Sequence, residues 1–119
     1  MKLDDEAKRI INETKPAFVA TADASGQPNV SAKGSTRVFD DEHVLFADVA
    51  SPRTVSNLKE NAKVSMIWLD AEGNQSCRIW GEAQILVSGK TFDTLRMEFA
   101  KRDMKINHAV LVRVDSLEK

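Results

Sequence analysis

Two apolar runs, KVSMIWLD (Lys63–Asp70) and QSCRIWGEAQILV (Gln75–Val87), are separated by only the four residues AEGN. A link that short cannot carry the crossover of about a dozen residues that parallel strands require, so the two runs must pair antiparallel. The same spacing recurs. AFVATAD and NVSAKGSTRVF flank the turn ASGQP, and NVSAKGSTRVF and VLFADVA flank DDEH, with Gly26, Pro28 and Gly73 as punctuation. HAVLVRVD supplies a sixth run near the C-terminus. Gly81, inside the longest run, marks a bulge or a close backbone approach. A doubly wound parallel sheet would need a helix after nearly every strand, and this chain lacks them. The pattern predicts a mainly β fold, a small antiparallel barrel with peripheral helices.

Three segments carry helical spacing instead. LDDEAKRIINET sets Leu3, Ala7, Ile10 and Ile11 on one side, with acidic residues in its first turn and Pro16 behind it. SGKTFDTLRMEFAKRDM places Phe92, Leu95 and Phe99 on a buried stripe. Between them lies SPRTVSNLKEN, whose Val55, Leu58 and Ala62 face inward. At 119 residues, without repeats or linkers, residues 1–119 form one domain. The net charge of −1 gives no electrostatic reason to expect nucleic acid, and no run approaches a membrane span. MKLDDEAKRII does not read as a secretory signal, and the single Cys77 forms no internal disulfide, which fits a reducing cytoplasm.

The junction ADVASPRTVSNLKEN (Ala47–Asn61) is the most informative stretch. Ser51 is a favoured N-cap and Pro52 suits the first helical position. Arg53 and Thr54 then fall at the second and third positions, where free amides and the helix dipole favour an anion and disfavour a cation. An arginine there makes sense if a phosphate sits between it and the helix. Asn57 lies one turn on and reaches the same place. The residues also suit an ordinary capped helix with Arg53 in solvent. Along NVSAKGSTRVF, alternation puts Val30, Ala32, Gly34, Thr36 and Val38 on one face and Asn29, Ser31, Lys33, Ser35 and Arg37 on the other. If the second face lines the same cleft, Lys33, Arg37 and Arg53 bring three cations to it.

The order of these segments resembles the pyridoxamine 5′-phosphate oxidase-like, FMN-binding split-barrel family, from about Phe18 to Val114. The signals are the Gly-x-Pro hairpin, the Ser-x-Arg-Thr junction followed by Asn-Leu-x-x-Asn, and the late strand ending Ile-x-Gly-x-Ala. The resemblance implies a six-stranded Greek-key split barrel, dimeric, with FMN at the subunit interface. It implies that Arg53 and Thr54 bind the phosphate beside Ser51, with Asn57 in the same helix. Ala32, Lys33, Gly34 and Ser35 would lie along the flavin, and Ala47 and Asp48 beside the ribityl chain and phosphate. Arg53-Thr54 is closer to the short FMN-binding members than to the true oxidases, which carry arginine then lysine. Neither Gln75 nor Ser76 sits securely in the register of the oxidase glutamine. Arg37 falls near the oxidase substrate-phosphate lysine, and the chain ends at Lys119 without the oxidase Arg-x-His segment.

The expectation is therefore an FMN-binding oxidoreductase or electron-transfer protein, homodimeric and cytoplasmic, rather than a vitamin oxidase. A non-catalytic flavin-binding or sensing module, and a barrel that holds haem or a deazaflavin, remain the alternatives. No catalytic side chain is identified. Trp68 and Trp80 read as packing residues, Cys77 as a small apolar strand residue, and His43 and His108 as a turn and a strand-edge residue too few for a metal site.

Overall fold

The computed structural model describes residues 1–119. Its elements run α1 (Asp5–Glu13), β1 (Ala17–Ala22), β2 (Pro28–Lys33), β3 (Arg37–Asp40), β4 (His43–Asp48), α2 (Pro52–Glu60), β5 (Lys63–Asp70), β6 (Gln75–Leu86), α3 (Lys90–Ala100) and β7 (His108–Glu118). The strands form one antiparallel sheet in the order β2-β1-β5-β6-β7-β4-β3. There are seven strands rather than six because NVSAKGSTRVF breaks at Gly34–Thr36. β2 stays paired with β1, and β3 turns away to pair with β4.

That break shows how the sheet must curve. Six inter-strand steps of about 4.8 Å would put β2 and β3 roughly 29 Å apart in a flat sheet. The link from Lys33 to Arg37 spans at most about 15 Å. The sheet therefore rolls into an open barrel, and Gly34–Thr36 crosses its seam. Trp68 fastens the crossing from inside, its Nε1–H donating to Thr36 Oγ1 at 3.0 Å. Lys15 Nζ donates to the Thr36 carbonyl oxygen. β3 is short and carries a bulge between Val38 and Asp40.

The interior holds the alternating residues of β1, β4, β5, β6 and β7, among them Val19, Phe46, Met66, Trp68, Ile79 and Val112, all at most 1% exposed. α1 stops one end with Leu3, Ala7, Ile10 and Ile11, as its spacing predicts. Its cap is intact, the Asp4 side chain accepting from the Ala7 amide at 2.8 Å. α3 covers the outer face of β4 and β7, where Phe92, Leu95 and Phe99 meet Leu45, Ala47 and Ala109. β4 is consequently buried on both faces. Gly81 lies at a register shift between β6 and β7, and a Cβ there would run into the Arg113 carbonyl. Both sequence readings of that glycine hold. No helix is long and apolar enough to cross a membrane.

One face is inverted relative to simple hydrophobic patterning. On β2 the buried side belongs to Lys33, with Asn29 and Ser31 half-buried, while Val30 is 67% exposed. Val30 pairs with Ala20, and Ala32 pairs with Phe18, which is 41% exposed. Phe18 in turn pairs with Ile67 of β5. An apolar patch thus lies on the outside of the β2-β1-β5 sheet.

Candidate functional site

Where the seam opens, the chain leaves a cavity of about 300 Å³. One wall is Ala32, Lys33, Gly34 and Ser35, another is Ala47 of β4 with Val49 and Ala50 just beyond it, and the rim is Phe99, Arg102 and Met104. Gly34 lies outside the left-handed region, and a Cβ built on it meets nothing within 4 Å. Glycine is not needed there for the backbone. It keeps the cavity wall bare. Ser35 Oγ accepts from the Ala47 amide at 2.9 Å and so holds the seam against β4.

Lys33 is only 7% exposed, and its Nζ donates to Ser51 Oγ. Burial pushes the Lys33 ammonium below the ordinary lysine range, and the nearby Asp48 charge partly offsets this. The bond has a consequence for α2. Ser51 stands at the N-cap position, yet its side chain caps no amide. The first turn of α2 contains no acidic residue, and Pro52 occupies its first position. The helix start is therefore positive and open, unlike the capped, acidic start of α1.

The loop into α2 is held from below by Asp48, which is 3% exposed. Its Oδ1 accepts from the Ser51 amide at 2.8 Å, and its Oδ2 lies 2.7 Å from His108 Nδ1. An ionised carboxylate only accepts, so Nδ1 carries the proton of that pair. Thr54 and Asn57 are buried and their side chains are engaged within the chain. Thr54 Oγ1 is 3.0 Å from Ser31 Oγ, and Asn57 Nδ2 donates to Thr21 Oγ1 at 3.1 Å. Both fix α2 to the polar inner face of β1 and β2. This explains why β2 turns Ser31 and Lys33 inward: they meet the polar face of α2, and every buried side-chain nitrogen and oxygen finds a partner.

The expected residues thus gather around the start of α2 without forming one pocket. Lys33, Gly34, Ser35 and Ala47 share the seam cavity. Arg53 and Asn57 line a separate polar hollow with Asp23, Ser56 and Glu60. Asp48 and Ser51 line a third, with Lys59 and His108. Arg53 is exposed and makes no ion pair or side-chain hydrogen bond, so it is available to a ligand. Arg37 does not join the other cations. Its guanidinium forms a two-pronged pair with Glu98 at 2.6 and 2.8 Å, which holds the Glu98 carboxyl below the usual range.

Sequence reasoning missed the rim residues Phe99, Arg102 and Met104, because nothing in a helical stripe says which strand ends it will overhang. It also read His108 only as a strand edge. The pairing of Asp48 with His108 depends on the β4–β7 register, which joins residues 60 positions apart.

Residues 3–116 match the family described as pyridoxamine 5′-phosphate oxidase. Among solved structures, HupZ of Group A Streptococcus is similar at 28% identity and a TM-score of 0.87, over 97% of this chain and 91% of HupZ. An FMN-binding protein from Syntrophomonas wolfei superposes with a TM-score of 0.83 at 17% identity, over 96% of this chain and 83% of its own. HutZ, the heme storage protein of Vibrio cholerae, gives 0.68 at 22% identity, over 99% and 94%. The last two likenesses concern the fold alone. From the match across nearly its whole length, together with the split barrel and its seam, this chain belongs to the pyridoxamine 5′-phosphate oxidase family.

Proposed function

We propose that the protein is an FMN-binding flavoprotein, an oxidoreductase or electron-transfer protein of its family that works as a homodimer. The observation that carries this reading is the combination of a bare-walled cavity at Gly34 with an uncapped helix start whose first turn holds Arg53 and no acidic residue. A planar ring suits the first, and a dianionic phosphate suits the second. A fold shared with an FMN-binding protein supports the choice of coenzyme.

Bound FMN would supply hydride or single-electron transfer at its ring. The chain's own groups bind and orient it. Arg53 and the first amides of α2 would hold the phosphate, and Thr54 and Asn57 keep that helix start in place through Ser31 and Thr21. Lys33 and Ser35 bring a cation and a hydroxyl to the cavity wall, suited to stabilising negative charge on a reduced ring. The outward patch of Phe18, Val30 and Ala32 adjoins the cavity through Ala32, and a second copy of the chain would cover it and complete the site. A haem reading draws on the likeness to HutZ, but the cavity offers neither an imidazole nor a thiolate.

The absorbance spectrum of the purified protein and calorimetric titration with FMN test the reading. Flavin bands and a saturable complex are expected; a Soret band, or no heat on adding FMN, overturns it. Arg53→Ala should weaken FMN binding about ten- to a hundredfold through the loss of a charged hydrogen bond, with no loss of fold. Unchanged affinity would remove the phosphate from α2. Dilution to monomer should release flavin, and a flavin-retaining monomer would place the site within one chain.

A further inference from the structure

We propose that His108 is a positioning residue for the coenzyme phosphate, acting through Asp48 on the loop that starts α2; this rests on the FMN reading above. The basis is a continuous chain of contacts. His108 Nδ1 meets Asp48 Oδ2 at 2.7 Å, Asp48 Oδ1 receives the Ser51 amide at 2.8 Å, and the Ser51 hydroxyl receives Lys33 Nζ from the seam cavity. Asp48 is almost wholly buried, so its two oxygens have no water to turn to. Each is committed to one neighbour, and removing either neighbour leaves a buried charge half-satisfied.

The backbone strengthens the coupling. The Asn107 amide donates to the Asp48 carbonyl at 2.8 Å, and Asn107 Nδ2 donates to the Val49 carbonyl at 3.0 Å. The first residues of β7 are thereby clamped to the end of β4, and His108 is held at a fixed height against the carboxylate. The electrostatics point the same way. A carboxylate under a phosphate-binding loop repels the phosphate unless donors or cations face it. His108 and Lys33 face Asp48 from β7 and β2, and Lys59 of α2 lines the same hollow. Without His108, Asp48 Oδ2 would lose its donor, and the carboxylate that holds the Ser51 amide through Oδ1 would lose its fixed position and part of its charge compensation. His108 touches neither the seam cavity nor Arg53's hollow, so its effect on the coenzyme is indirect.

The test compares wild-type protein with His108→Phe, which fills the volume but donates nothing, and His108→Asn, whose amide nitrogen restores a donor at the Nδ1 position. FMN affinity should fall about three- to tenfold in His108→Phe and recover to within about twofold in His108→Asn. The ³¹P resonance of bound FMN should move in the first variant and return in the second. A generally loosened fold would not produce that rescue. Equal affinity in His108→Phe and wild type, or equal weakening in both variants, overturns the proposal. Amide exchange at Ser51 in cofactor-free protein separates this idea from the FMN reading. Exchange should speed up in His108→Phe only, and unchanged exchange refutes the coupling whether or not FMN binds.

Discussion

Two glycines divide the molecule into regions with different rules. Gly81 sits where β6 crosses β7, and a single added carbon would strike the Arg113 backbone. Gly34 sits on the seam, where the same carbon would enter open space. Around Gly81 the sheet is paired on both sides and its interior is dry, so residue choice is set by packing. Around Gly34 the sheet is interrupted, its neighbours Lys33 and Ser35 are polar, and packing leaves the residue choice open. The same residue type therefore marks a structural limit in one place and a bare cavity wall in the other.

The largest effect should come from closing the first of these. Gly81→Ala should destabilise the fold by about 3 kcal/mol, because the clashing atom is backbone and cannot rotate away. Denaturant unfolding measures this, and a loss within about 0.5 kcal/mol would mean that β6 and β7 part more easily than their register suggests. The complementary change is Gly34→Val. Its stability should stay within about 0.5 kcal/mol of wild type while FMN affinity falls about tenfold or more. Normal affinity in that variant would remove the ring from the seam cavity and collapse the contrast between the two glycines.

A smaller effect tests how dry the paired half is. Burial raises the Cys77 thiol from 9.0 to about 11. The unfolded chain then loses that proton first, so the folded state should lose stability as pH rises from 9 toward 11. Lys33 works in the opposite sense. Its folded value lies below 10.5, so the unfolded chain holds the proton longer and stability should rise with pH as 10.5 is approached. Cys77→Val should therefore remove an alkaline decline, and Lys33→Met should remove an alkaline gain. Parallel unfolding curves against pH for wild type and both variants would contradict these assignments.

The paired half was largely legible in the sequence. The four-residue turn between β5 and β6 permits one arrangement only, and the stripes of α1 and α3 point inward as their spacing requires. The seam was less so. Nothing in NVSAKGSTRVF signals a break, since each half keeps an extended backbone and the division arises from the two ends of the sheet closing on each other. Alternation separated Val30 from Ser31 and Lys33, but polar inner residues are stable only because α2 supplies Thr54 and Ser51 as partners. The start of α2, with Arg53 in its first turn, was legible because Pro52 and Arg53 are local signals. Its support by Asp48 and His108 was not, because that contact depends on strand register across half the chain.

The bulged, four-residue β3 has a further consequence. A barrel that stays open leaves two raw strand borders, each able to recruit a stray β-segment and seed fibrils. β3 is too short and too kinked to template such growth, and its Arg37 and Asp40 place charge along it. Pro28 withholds a donor at the start of the opposite border, on β2. The irregularities beside the opening thus let the fold remain split without becoming sticky.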